Sequence, residues 1–368
     1  MSSENRLREK AIIIDIENRD LITSLHEAFQ QAGILPLIKQ SREMYVHVPL
    51  GATLFRDGNA IGGTYLDVEL AEAFIKACSG KPITFYEAPA TAHSNVKILF
   101  EKLNFTKLTE KYRNVRLLDL NDDSKGNFDR VSLNYGFDYP PLELPGFLFD
   151  KENLIISFSN PKAPFSERVI GFKGLPFSLS GKALIMGSTL FPKKNLLHMA
   201  FSDLGLGLKG YIIDVLDKIK KAGVACIGIN GGPLAGAMIK QVKVNPVDWN
   251  LLVVSTNVGI ADAVTASLMG FQPQDIGYFT GLTKKKLLPS NMSTISVIEI
   301  GNGRARLERQ LKSNNPFLPQ DSPINTRQWI FGLMKQVSLK NRLRMAGRIL
   351  PSIIRYKLAR KKKEKNYL

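Results

Sequence analysis

Residues 11–33 read AIIIDIENRDLITSLHEAFQQAG, and this stretch decides the fold class. Residues 11–16 are short, apolar and β-branched, which suits a buried strand. Over residues 20–32 the apolar positions Leu21, Leu25, Ala28 and Phe29 fall on one helical face, and Gly33 stops the helix. A strand leading directly into a helix is the unit of a parallel sheet, because parallel neighbours need a crossover connection. The order repeats along the chain. Residues 45–48 predict a strand broken by Pro49 and Gly51, residues 58–63 a glycine-rich loop, residues 65–78 a helix ending at Gly80, and PITFYE (82–87) another strand. Residues 95–111 read as one helix and 115–120 as a strand; further on, 154–158, 224–229, 249–254 and 293–300 read as strands, with a helix over 259–268. The expected class is α/β: a predominantly parallel sheet with flanking helices, in two lobes or one large domain, followed by a basic helical tail.

Composition marks the divisions. Residues 1–120 form an N-terminal α/β half; residues 121–150, with NDDSKGN and YPPLELPG, read as an irregular connection or lid; residues 151–310 form a second α/β half. The 368 residues suffice for two lobes, and no internal repeat is present. Two cysteines, Cys78 and Cys226, exclude a disulfide framework and any four-cysteine iron–sulfur or zinc site carried by this chain alone. The one early apolar run, residues 11–14, is cut by Asp15 and is too short for a signal-peptide core, and no window reaches the length of a spanning helix. These features predict a cytoplasmic protein, with membrane contact confined to the surface.

Charge is uneven. Of the net +17, residues 326–368 carry +12, with thirteen Lys or Arg against Glu364 alone. Trp329, Ile330, Leu333, Met334 and Val337 recur at helical spacing in the same segment, and Pro351 divides it. Three readings stand for this tail: a helix docked on the body with solvated charges, an anchor on an anionic membrane surface, or, ranked last, a nucleic-acid contact. The last lacks a zinc-finger spacing or an RNA-recognition signature.

Several pieces together resemble the α/β family known as domain of unknown function 362. They are TYLDVELAEAFIKA (64–77) leading into PITFYEAP, the lysine in SNPKAP, SGKALIMGS followed by LLHM, the stretch INGGPLAGA, and GIADAVTASLMG. The chain departs from that family where VHVPLG replaces a Lys-Pro-Asn-like turn and where Lys182 is followed by Ala183. Many relatives append a ferredoxin-like iron–sulfur segment, which two cysteines cannot supply. The resemblance lifts Lys162 and Lys182 above the other basic residues.

Candidate site residues follow from placement after strands, where open α/β sheets bind ligands. Lys162 and Lys182, read as strand-end lysines, are placed to meet a carboxylate or phosphate, or else are solvated surface charges. Gly231, Gly232 and Gly236 in GGPLAG form an anion-binding loop or merely a tight turn; the spacing fits neither a Walker nor a dinucleotide motif. Asp262 either complements a helix dipole or orients His198, a lysine or a cation. His198 and Glu87 are the candidate proton carriers, and Cys226 reads as core. Of the other histidines, His26 reads as surface, and no metal-binding spacing links His26, His47, His93 and His198. The resulting expectation is a small anionic ligand bound between the lysines and GGPLAG, by an enzyme or by a non-catalytic anion-binding protein, with cofactor and oligomeric state undetermined.

Overall fold

The structure, a computed structural model, describes residues 9–50, 55–56, 59–88, 95–120, 128–131, 142–163, 179–189, 208–240, 243–313 and 315–317. In chain order the first half runs β1 (Lys10–Asp15), α1 (Leu21–Ala32), α2 (Leu35–Gln40), β2 (Glu43–His47), β3 (Phe55–Arg56), β4 (Asn59–Ala60), α3 (Val68–Ala77), β5 (Ile83–Glu87), α4 (Val96–Lys102), α5 (Thr106–Lys111) and β6 (Val115–Asp119). It continues with β7 (Phe128–Val131), β8 (Leu142–Pro145), β9 (Asn153–Ser159), β10 (Lys162–Ala163), α6 (Ser180–Gly187), α7 (Leu208–Lys221), β11 (Ala225–Lys240), β12 (Lys243–Ser255), α8 (Val258–Leu268), α9 (Gly277–Lys284), β13 (Ser296–Ile300) and α10 (Gly303–Ser313).

The helix ends obey local chemistry. Asp20 accepts the Thr23 amide at 2.8 Å to cap α1, and Gly33 closes it in the left-handed region at φ 73°. Asp67 caps α3, and Asn257 caps α8 through the Gly259 amide.

One sheet carries the molecule, in the order β13-β1-β12-β11-β9-β2-β5-β6, with β10 added beside β11. Only the two pairings of β12, to β1 and to β11, are antiparallel; the other pairs in this sheet are parallel. The expected α/β class, predominantly parallel with flanking helices, is what the chain adopts. Its strands are apolar on both faces because both faces are covered. Ile12, Ile14, Val46, Phe85, Ile156 and Ile229 pack on one side with Leu25, Phe29, Leu70 and Phe74 of α1 and α3. Ala11, Ile13, Tyr86, Ile155 and Val253 pack on the other with Leu184, Ile212, Leu216, Ile260 and Leu282 of α6 to α9. The two halves distinguished along the chain do not keep separate sheets, since β2 of the first pairs directly with β9 of the second.

Strand order reverses once within the parallel block. From β2 the chain steps to β5 and then β6 in one direction, whereas from β9 it steps to β11 in the other. Between β2 and β9 the crossover helices also change face, α3 lying on one side and α6 and α7 on the other. The carboxyl ends of β2 and β9 therefore flank a topological switch point, the place where open α/β sheets form a ligand crevice.

Four sequence expectations are corrected. GGPLAG is not a loop: it lies inside the sixteen-residue strand β11, paired with β12 through an irregular register between Gly232 and Leu234. A Cβ on Gly231, at φ 134°, would stand 1.9 Å from the Leu251 carbonyl oxygen, so the glycine serves close strand pairing. The single helix expected over 95–111 is two, broken where Asn104 takes φ 61°. The connection over 121–150 contains packed structure, for β7 pairs with β8, Leu144 and Leu148 are buried, and Phe147 stacks on Tyr45 at 4.0 Å between centroids. Lys182 is not at a strand end but in the first turn of α6. The tail at 326–368 lies outside the described residues. Among the described residues no helix is long and apolar enough to cross a membrane.

Candidate functional site

At the end of β2, His47 is 1% exposed and sits in register with Tyr86 of β5 and Ser157 of β9. Its Nε2 lies 3.4 Å from Oε2 of Glu87, the last residue of β5. Glu87 is itself held, because its Oε1 accepts the Ala88 amide at 2.9 Å. With a carboxylate opposite Nε2, a neutral imidazole carries its proton on that nitrogen and offers Nδ1 as an acceptor. Nδ1 is buried and has no hydrogen-bond partner among the described residues. Behind the ring, Tyr86 packs edge-on at 5.8 Å and shares a 3.1 Å hydrogen bond with Ser188 at the end of α6. Complete burial drives the Tyr86 phenol far upward, so it stays neutral and holds position.

Beyond the end of β9, Asn160 is 3% exposed. Its Nδ2 donates to the Leu234 carbonyl at 3.2 Å, which orients the amide, and its Oδ1 is buried without a partner among the described residues. Two residues on, half-buried Lys162 pairs with Gly236 in β10–β11 and donates from Nζ to the Thr64 carbonyl at 3.2 Å. Thr64 reaches that position because the turn before it presses on β11: a Cβ on Gly63, at φ 76°, would stand 2.3 Å from the Ala235 carbonyl oxygen. Glu87, His47 and Asn160 thus mark the carboxyl ends of the neighbouring strands β5, β2 and β9 around the switch point, with Lys162 just beyond in β10.

Asp262 belongs elsewhere. It is completely buried in α8 and accepts from Ser180 Oγ at 2.6 Å, the Gly181 amide at 3.0 Å, Asn230 Nδ2 at 3.0 Å and Tyr278 OH at 3.1 Å. Asn230 in turn accepts the Ser180 amide at 2.9 Å. The carboxylate is a fastener for the start of α6, joining β11, α8 and α9. Burial holds its carboxyl above the ordinary value, against the pull of these donors.

Asp262 and Lys162, both candidate site residues, therefore lie apart. Asp262 meets β11 at Asn230 and Lys162 meets it at Gly236, six positions further, or about 20 Å of extended strand. Gly232 lies between, its missing Cβ 3.4 Å from Asn160 Nδ2. The Gly236 amide is committed to the Pro161 carbonyl at 2.8 Å and is not offered to an anion. Glu87 stands where expected, with His47 as the partner that sequence reasoning passed over. His198 lies outside the described residues, as does the side chain of Lys182. Cys226 is core-facing on β11, and burial pushes its thiol up to about 12, which suits no nucleophile. Among the described residues no group of three or more His, Cys, Asp or Glu is placed to hold a metal ion.

No family model, no curated protein and no solved structure matches the chain.

Proposed function

We propose that this chain is an enzyme of small anionic metabolites whose site is the crevice at the β2–β9 switch point. The observation that carries the reading is His47, buried at a strand's carboxyl end with Nε2 against Glu87 and Nδ1 unfilled among the described residues. In this reading Glu87 fixes the tautomer, His47 Nδ1 takes or returns a proton, and Lys162 attracts the anionic group. The arrangement of a base oriented by a carboxylate is a common way of setting up general acid–base chemistry. The resemblance to domain of unknown function 362 enters as part of the same proposal, since it too singles out Lys162. A thermal-shift screen against phosphorylated and carboxylated metabolites tests it. Stabilisation by a hit is expected to vanish in His47→Asn and to weaken in Lys162→Ala; stabilisation that survives both substitutions overturns this placement of the site.

A second reading concerns residues 326–368 alone and rests on their +12 charge and interleaved apolar positions. It is a peripheral attachment to anionic membranes, each basic residue near the surface adding about 1 kcal/mol. Co-sedimentation of the full chain with vesicles is expected to require anionic lipid and to fall with salt. Retention on nucleic acid without retention on vesicles would replace this reading.

A further inference from the structure

Four buried side-chain atoms have no hydrogen-bond partner among the described residues: Ser24 Oγ, His47 Nδ1, Asn160 Oδ1 and Trp249 Nε1. Ser24 lies within α1 and Trp249 within the core of β12, both away from the switch point. The other two stand at the carboxyl ends of the adjacent strands β2 and β9. Both are acceptors. Asn160 has its amide orientation set by the donation of Nδ2 to Leu234, so the oxygen is the open end. His47 turns Nε2 toward the Glu87 carboxylate, so Nδ1 is the open end, an acceptor in the neutral ring. In register His47 faces Ser157, and Asn160 lies three residues beyond it, about 10 Å further along.

From these two acceptors we infer that the ligand of the crevice is an anion bearing at least one hydroxyl group, bound through O–H donated to His47 Nδ1 or to Asn160 Oδ1. The inference rests on the proposed small-anion reading and adds what must accompany the charge. A fully ionised carboxylate or phosphate alone offers only acceptors, which would face Nδ1 and Oδ1 lone pair to lone pair. An ammonium group would supply donors too, but while Glu87 beside His47 attracts it, Lys162 beyond Asn160 repels it. A neutral hydroxyl satisfies both demands, and a site built around buried acceptors rejects the analogue lacking the donor, because its own groups are then left unpaired. The shared chemistry covers hydroxycarboxylates and phosphorylated alcohols, which the test separates.

The test is calorimetric titration of the full chain with two matched pairs, malate against succinate and glycerol 3-phosphate against propyl phosphate. In at least one pair the hydroxylated member is expected to bind about tenfold or more tightly than its partner, and that pair names the anionic group. Either Asn160→Leu or His47→Phe is expected to shrink the difference by weakening the hydroxylated ligand, and the variant that does so names the acceptor; a difference that survives both overturns the inference. Should a variant not fold, the wild-type comparison decides by itself. Equal binding within both pairs, as when ordered water fills the two acceptors, overturns the hydroxyl inference and leaves the small-anion reading in place. Binding of none of the four overturns both.

Discussion

Two buried polar clusters sit in this sheet, and they differ in how completely they are paired. Around Asp262, both carboxylate oxygens receive two donors each, and the donors come from three other elements. Around the β2–β9 switch point, His47 and Asn160 are equally buried, yet each keeps an acceptor without a partner among the described residues. A fully paired cluster strengthens the fold, whereas a buried acceptor left open lowers stability and persists where something else fills it. Burial alone would have ranked Asp262 first as a functional residue. Pairing moves that rank to His47.

Substitutions turn the comparison into numbers. The largest effect is expected from Asp262→Ala, which strands Ser180, Gly181, Asn230 and Tyr278 in the interior; urea unfolding should show a loss of about 3 kcal/mol or more. A loss below about 1 kcal/mol would mean that the cluster does not fasten α6. Tyr278→Phe removes one donor of the four and should cost about 1 kcal/mol in the same measurement. At the switch point the order inverts. His47→Phe keeps a flat ring, discards an open acceptor but adds volume, and should cost no more than about 2 kcal/mol, less than Asp262→Ala, while abolishing ligand-induced stabilisation. Comparable stability losses at Asp262 and His47 would erase the distinction between the clusters.

The smallest effect is a pH dependence. Burial raises the folded-state value of Asp262 above its ordinary 3.8, so the folded state holds this proton more tightly than the unfolded state. The associated stabilisation is complete below 3.8 and is lost as pH rises through the folded-state value. Relative to Asp262→Asn, which does not titrate, the wild-type chain should therefore lose stability between acid and neutral pH. An advantage that grows with pH would show that the four donors outweigh burial.

The architecture was legible because it is local. AIIIDI, its capped helix and Gly33 declare a strand and a helix within two dozen residues, and the repetition of that unit implies a parallel sheet. GGPLAG misled because Gly and Pro ordinarily punctuate turns, and only the approach of Leu251 from β12 explains why a strand needs glycine at 231. Glu87 was legible as the end of PITFYE. His47 was not, since its partner lies forty residues away and the pairing of β2 with β5 brings them together. Asp262 carried a helix-terminal signal, but its actual partners, Ser180 and Asn230, come from separate segments that no spacing rule connects. Asn160 was hidden inside SNPKAP, where the neighbouring lysine drew the reading.

Because the chain has only four histidines, the place where a ligand acts can be read in one experiment. In protein carrying nitrogen-15 histidine, the ring signals of His47 and of exposed His26 are followed while a ligand identified by thermal shift is added. The prediction is a shift of the His47 Nδ1 resonance at saturation and no change at His26. Saturating binding that leaves the His47 ring unmoved would contradict the assignment of the β2–β9 crevice as the functional site.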